Sequence, residues 1–149
     1  MIKTINKCLS KKAEVRIESI KGIYSLGETI HGQLHITCKE DEDIYLKEAK
    51  LFLGAFTWKV ANFPVKLMEH SVTIPVNTVL NANEKTVIHF SIEIPNDYLV
   101  NIDITGTPSP SGNIKLNGRF SLLYAKLFIK GGLNIKNEHD IPVTIKEKI

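Results

Sequence analysis

The chain has 149 residues, of which 43% are hydrophobic and 23% charged, and its net charge is +3. This composition is typical of one globular domain and excludes a disordered chain, and no apolar run approaches the ~18 residues of a membrane-spanning helix. Two cysteines are too few for a disulfide scaffold, and the first ten residues do not resemble a signal peptide, so we expect a cytoplasmic protein with no membrane span.

The one basic cluster lies at the start of the chain: Lys3, Lys7, Lys11 and Lys12 belong to a leader of residues 1–12, and Arg16 follows just beyond it. We interpret this segment as a solvated, charged leader; an acidic partner or a membrane surface as its target is the alternative. Ile2–Leu9 is the one helix candidate, because its apolar residues recur at helical spacing. Residues 13–149 are predicted to form a single domain.

Apolar and polar residues alternate along much of the chain, which predicts strands with one buried side. In Ile30–Cys38, for example, Leu34 and Ile36 share one face while His31 and His35 share the other. The same pattern predicts further strands at Val15–Ile17, Ile44–Trp58, Val65–Ile74, Ile88–Ile94, Phe120–Ile129 and Val143–Ile145.

Turn-forming residues separate these stretches at intervals too short for crossover helices. Asn117-Gly118 is the strongest hairpin signal, because a type I′ turn needs positive φ at both central residues. Gly27-Glu28 and Asn81–Asn83 predict further turns, and Thr105–Gly112 a loop. Many short strands with regular turns predict an all-β fold, an antiparallel, immunoglobulin-like β-sandwich.

The order of these signatures resembles an arrestin-type domain. Tyr24 is followed by the Gly27-Glu28 turn and by a strand that carries Gly32, and His89–Pro95 resembles the family's apolar strand that ends in a proline. The long strand with Leu51–Gly54 and Trp58 fits the same pattern. The segments 132–135 and 140–143 resemble more specifically the bacterial and archaeal branch typified by the sporulation-control protein Spo0M.

This resemblance implies a protein-binding adaptor or scaffold that binds partners through sheet edges, faces and loops. Members normally have two sandwiches, whereas this length allows one, so self-association as a homodimer is a further expectation. The candidate partner-binding residues are Lys7, Lys11 and Lys12, for an acidic or phosphorylated partner. Animal arrestins use basic residues near their first strand in this way, but the spacing to the strand differs here, so that site is not carried over. The matched residues have structural roles: Gly32, on an apolar strand face, is predicted to make room for a neighbouring side chain.

No catalytic, cofactor or metal residues are predicted. His31 and His35 share a strand face but stand about 13 Å apart, too far to bind one zinc ion, and the register that would bring His70 or His89 near them is open. Cys8 and Cys38 lack the spacing of a redox pair, and Cys38 is predicted to be a core residue. Known nucleophile, phosphate-loop and metalloprotease motifs are absent from the sequence.

The acidic run Glu40–Asp43 is interpreted as a solvated hairpin tip, with calcium or a basic partner as the alternative. Thr107–Ser111 is interpreted as a flexible loop rather than a phosphorylation site. Glu48 and Glu69 come nearest to a carboxylate within an apolar strand face, where a buried general acid would lie. Two other functions stay open. One is a small hydrolase built on loops or on a metal; the other is an anionic-surface or nucleic-acid binder that uses the leader. Nucleic acid is not expected, because Arg16 and Arg119 are the only arginines and no aromatic platform is visible.

Overall fold

Ten β-strands make up most of the described chain. The computed structural model describes residues 13–18, 20–38, 43–60, 63–108, 114–131, 134–137 and 139–147. The predicted helix Ile2–Leu9 and the leader with Lys7, Lys11 and Lys12 lie outside the described residues. The strands are β1 (Ala13–Glu18), β2 (Ile23–Ser25), β3 (Thr29–Cys38), β4 (Ile44–Val60), β5 (Phe63–Leu80), β6 (Lys85–Glu93), β7 (Ile102–Pro108), β8 (Ile114–Ile129), β9 (Ile135–Lys136) and β10 (Ile141–Lys146).

The strands form two sheets. The small sheet has three strands in the order β1-β3-β6. The large sheet has seven: five follow the order β2-β10-β8-β4-β5, and β7 and β9 each pair with β8 as well. β4 pairs with one edge of β8, while β7, β10 and β9 follow one another along its other edge. The pairs are antiparallel except for β10 with β2, which are parallel. The long strands β4, β5 and β8 therefore give the large sheet a broad, continuous surface.

The inner faces of the two sheets form one hydrophobic core. Leu34 and Ile36 of β3 and Ile92 of β6 come from the small sheet, and Leu51 and Leu127 from the large one, each at most 1% exposed. The alternation along β3 is the predicted one, and Cys38 is buried in the core as expected. Apolar burial on one side of each sheet holds the layers together. The predicted all-β sandwich is confirmed.

A β-bulge at Lys47 sets which side chains of β4 face outward. Leu46 pairs with Ile129 of β8 and Glu48 pairs with Phe128, so Lys47 is an extra residue. Because a strand alternates with a period of two, one extra residue reverses the facing of all that follows. Even-numbered residues, Ile44 and Leu46, are buried before the bulge, and odd-numbered residues, Ala49, Leu51, Leu53 and Ala55, after it. The even-numbered residues from Lys50 to Trp58 consequently lie on the outer face.

The predicted hairpin at Asn117-Gly118 is wrong. Both residues lie inside β8, where Asn117 pairs with Thr105 of β7, and Arg119 pairs with both Ile102 of β7 and Thr57 of β4. β7 pairs along one edge of this segment and β4 begins to pair along the other edge at Arg119, so the chain continues as a strand and does not reverse. Gly118 still uses its conformational freedom, with φ at 134°, and its carbonyl accepts a hydrogen bond of 2.7 Å from the Thr57 hydroxyl.

Other boundaries also differ from the sequence prediction. Thr105–Pro108 belongs to β7 rather than to a loop, and residues 109–113 lie outside the described residues. β5 and β8 are longer than predicted, and the short strands β2 and β9 were not predicted. The Gly27 turn is confirmed, with φ at 80°. Within the described residues there is no helix with the length and apolar character needed to span a membrane.

Candidate binding face

The outer face of the large sheet brings three lysines into one row across three adjacent strands. Lys50 of β4 pairs in register with Lys126 of β8, and Lys126 pairs in turn with Lys136 of β9. Residues directly opposite one another on antiparallel strands have neighbouring side chains. We call Lys50, Lys126 and Lys136 the lysine row.

Two aromatic rings beneath the lysine row are buried, although they lie outside the core cluster. Phe52 and Tyr124 are 8% and 6% exposed and stack on each other, with ring centroids 5.0 Å apart. Lys50 and Lys126 place their ammonium groups 5.6 and 5.4 Å from the centre of the Phe52 ring. Lys136 lies 5.0 Å from the centre of the Tyr124 ring. These distances are typical of cation–π interactions, which hold the lysine ammonium groups close to the rings.

A second group of rings continues the same face toward the end of β4. Phe120 of β8 stacks on Phe56 at 5.5 Å and on Trp58 at 5.1 Å, with interplanar angles of 18° and 27°. All three side chains are half-buried. Each of these near-parallel contacts covers a ring face with a neighbouring ring. We call Phe52, Phe56, Trp58, Phe120 and Tyr124 the ring cluster.

A cleft of about 390 Å³ lies beside the lysine row. Its apolar lining includes Phe56, Pro64 and Leu122, and its polar lining includes Lys126 and Lys136. An apolar floor with charged groups at the margin suits an amphipathic ligand rather than a uniformly charged one.

Two carboxylates partly balance the charge around the cleft. A bulge at Leu67 places Lys66 and Glu69 on the same outer face, where the Lys66 ammonium lies 2.8 Å from the Glu69 carboxylate. The Tyr124 hydroxyl donates a hydrogen bond to the same carboxylate. Asp140 lies 3.3 Å from the Lys136 ammonium. Glu69, which the sequence analysis singled out, thus orients side chains at the edge of the cleft.

His31, His35 and His89 lie on the opposite side of the molecule, on the outer face of the small sheet, whereas His70 lies on β5 of the large sheet, where it pairs with Leu53. His89 pairs in register with Gln33, which places it between the strand positions of His31 and His35. The His35 ring nitrogen Nε2 lies 2.9 Å from the Gln33 side-chain oxygen and 3.2 Å from the Glu18 carboxylate. In the part of the chain that the structure describes, His, Cys, Asp and Glu nowhere form a group of three that could hold a metal ion.

The other predicted candidates do not join the outer face of the large sheet. Lys7, Lys11, Lys12 and Cys8 lie outside the described residues. Of the acidic run only Asp43 is described; it is exposed, and its carboxylate accepts a hydrogen bond of 2.9 Å from the Ala82 backbone. The lysine row and the ring cluster were missed by sequence reasoning. The even spacing of Lys50, Phe52, Phe56 and Trp58 in the sequence indicated that these residues share one face of a strand. The sequence did not indicate the register with β8, which brings Phe120, Tyr124 and Lys126 beside them.

Comparisons with known proteins give the fold. No protein-family model matches the chain, and no curated protein matches it. The chain is similar to the crystal structure of Spo0M, the sporulation control protein from Bacillus subtilis, with a TM-score of 0.64 and 17% sequence identity over 92% of this chain. The chain spans about half of that structure's chain, 50% by coverage. The expected arrestin-like β-sandwich is therefore the fold of this chain.

Proposed function

We propose that this chain is a non-enzymatic, cytoplasmic protein-binding adaptor of the arrestin-like class, and that its partner binds the outer face of the large sheet. The order of signatures along the sequence and the likeness of the fold support a place in the Spo0M-like branch. The observation that carries the proposal is the ring cluster: five aromatic side chains gathered outside the core, on a face bordered by lysines.

Aromatic side chains on a sheet's outer face are typical of protein interfaces. Interface cores are enriched in Trp, Tyr and Phe, and a few such residues supply most of the binding free energy. Phe56, Trp58 and Phe120 are half-buried, so a partner that covers them removes further apolar area from water. The most exposed edge of this cluster therefore has the composition of a binding hot spot.

The sheet presents this face without a loop that must be ordered first. Phe56 and Trp58 lie on β4 and Phe120 on β8, and the two strands pair in continuous register from Glu48 to Thr57. A preformed surface loses little conformational entropy on binding. A rigid docking face is what an adaptor needs.

The geometry of the rings favours a protein partner over single-stranded nucleic acid. Nucleic-acid platforms offer open ring faces on which bases stack. Here Phe120 has rings stacked against it at 5.5 and 5.1 Å, and the rings of Phe52 and Tyr124 cover each other. Phe52 and Phe120 therefore already have ring faces covered by other rings, which leaves fewer open faces for bases than such a platform offers.

The test is affinity capture from the native host with quantitative mass spectrometry. We expect Trp58→Ser to reduce recovery of a reproducible protein partner roughly tenfold or more, because loss of a central interface aromatic typically costs at least ~2 kcal/mol. The matched control is Val87→Ser, which alters an apolar residue 45% exposed on the small sheet. Equal recovery with both variants, each checked for an unchanged urea midpoint, contradicts the proposal.

A further inference from the structure

We propose that the lysine row binds an acidic peptide segment of the protein partner, with its carboxylates along Lys50, Lys126 and Lys136 and an adjacent apolar side chain in the cleft. This inference rests on the proposed function and deepens it by naming the chemistry of the partner.

The register of the sheet forces like charges together. Lys50, Lys126 and Lys136 lie directly opposite one another on three neighbouring strands. Strands in a sheet lie about 4.8 Å apart, so the row crosses about 10 Å of the surface. Like charges directly opposite one another destabilise a sheet. A ligand of opposite charge removes this repulsion.

The protein does not neutralise this row by itself. Lys136 pairs with Asp140 at 3.3 Å, but among the described residues no carboxylate pairs with Lys50 or Lys126. Both ammonium groups lie instead against the ring of Phe52, within 5.6 Å of its centre. A cation over a ring face keeps an outer side available to an anion.

The surroundings strengthen attraction to an anion. Phe52 and Tyr124 are buried beneath the row, so its lower side is apolar rather than water. Charges attract more strongly beside a region of low dielectric constant. Aromatic ring edges also carry partial positive charge, which favours an anionic group close to them.

The spacing suits an extended peptide. Alternate side chains of an extended chain lie about 6.6–6.8 Å apart on one face, so two alternate carboxylates fit within the span of the row. The cleft beside it, lined by Phe56, Pro64 and Leu122, has room for an apolar side chain, with a volume of about 390 Å³. We therefore expect alternating acidic residues followed by a Leu- or Phe-like residue.

The test is fluorescence anisotropy with a dye-labelled peptide of alternating Glu and Ser that ends in Leu, against the same peptide with Gln for Glu. The full chain is expected to bind the Glu peptide and not the Gln peptide, with affinity that falls as salt is raised. The double variant Lys50→Gln, Lys126→Gln is expected to bind roughly three- to tenfold more weakly, as for the loss of two exposed charge pairs. The matched control is Lys85→Gln, Lys146→Gln, which removes the same charge from exposed lysines elsewhere and is expected to bind normally.

The outcomes separate this inference from the proposed function. Equal weakening in both double variants means that net charge alone attracts the peptide, and it overturns the inference. So does tighter binding to a single-stranded DNA oligonucleotide or to phosphatidylserine vesicles than to a Glu peptide of equal charge. If partner capture depends on Trp58 but is unchanged in Lys50→Gln, Lys126→Gln, the inference fails while the proposed function stands.

Discussion

At the scale of single residues, Gly32 of β3 is the clearest case in which the sequence predicted a packing relation. It was expected to make room for a neighbouring side chain, and a Cβ at this position would lie 2.6 Å from the Phe90 ring and 2.8 Å from Ile20. Position 32 therefore requires glycine because neighbouring side chains occupy the space of a Cβ, and not because of its backbone conformation. The sequence did not identify which side chain fills the space, because the β3–β6 register places Phe90 there.

We expect Gly32→Ala to lower the free energy of unfolding by about 1–3 kcal/mol, since the methyl group overpacks a region that is already filled. Gly22→Ala is the matched control, because a Cβ there meets nothing within 4 Å. It is expected to stay within about 0.5 kcal/mol of the wild type. Urea unfolding followed by Trp58 fluorescence measures both; equal stability of the two variants contradicts this account of Gly32.

Tyr98 ties the segment after β6 to the large sheet. Its side chain is 3% exposed, and its hydroxyl donates a hydrogen bond of 3.1 Å to Ser121. The Ser121 hydroxyl in turn donates to the Asn101 side-chain oxygen at 2.8 Å. Burial raises the pKa of Tyr98 to about 12, although the hydrogen bond with Ser121 opposes part of that rise.

This raised pKa predicts a loss of stability in alkali. The Tyr98 hydroxyl ionises near pH 10 in the unfolded chain and near pH 12 in the folded chain. The stability that its burial in the neutral form contributes is therefore complete below pH 10 and is lost as the pH rises from 10 to 12. Between pH 9 and 11 we expect the wild type to lose about 1 kcal/mol more stability than Tyr98→Phe. Urea titrations of both proteins across this range measure the difference, and parallel pH profiles would show that Tyr98 titrates normally.

At the scale of elements, the bulge at Lys47 decides the facing of β4. The sequence predicted a strand with one buried side over Ile44–Trp58, and the burial of Ala49, Leu51 and Leu53 agrees with it. It did not predict that Ile44 and Leu46 keep the opposite parity and are buried as well. A bulge is set by the pairing with neighbouring strands, which a single sequence does not reveal.

Deleting Lys47 tests the bulge. Without the extra residue Ile44 and Leu46 turn outward, and exposing two buried aliphatic side chains is expected to cost about 3–6 kcal/mol. Lys47→Ala keeps the residue count and changes only an exposed side chain, so it is expected to remain within about 0.5 kcal/mol. Equal urea midpoints for the deletion and the substitution would mean that the bulge does not set the facing.

The failure at Asn117-Gly118 has the same origin. Local turn preference is real there, because Gly118 adopts positive φ, but the pairing of Asn117 with β7 and of Arg119 with both β7 and β4 outweighs it. The lysine row was missed for a related reason. Lys50 is far in sequence from Lys126 and Lys136, and only the pairing of β4, β8 and β9 aligns the three.

At the scale of the whole molecule, fold class was predictable because it depends on patterns that each strand carries by itself. Alternation, turn residues and apolar content predicted a two-sheet sandwich without any register. The candidate site was not predictable, because it depends on which residues of distant strands meet. Self-association stays a prediction, and light scattering over a range of concentrations measures it.

Mapping the bound acidic peptide by nuclear magnetic resonance tests the central claim most directly. In a titration of the isotope-labelled full chain with the Glu–Ser peptide ending in Leu, we predict that chemical-shift changes cluster on β4, β8 and β9. The strongest are expected around Lys50, Phe52, Tyr124, Lys126 and Lys136. Changes confined to the small sheet formed by β1, β3 and β6, or no changes at peptide concentrations that saturate the anisotropy signal, would contradict it.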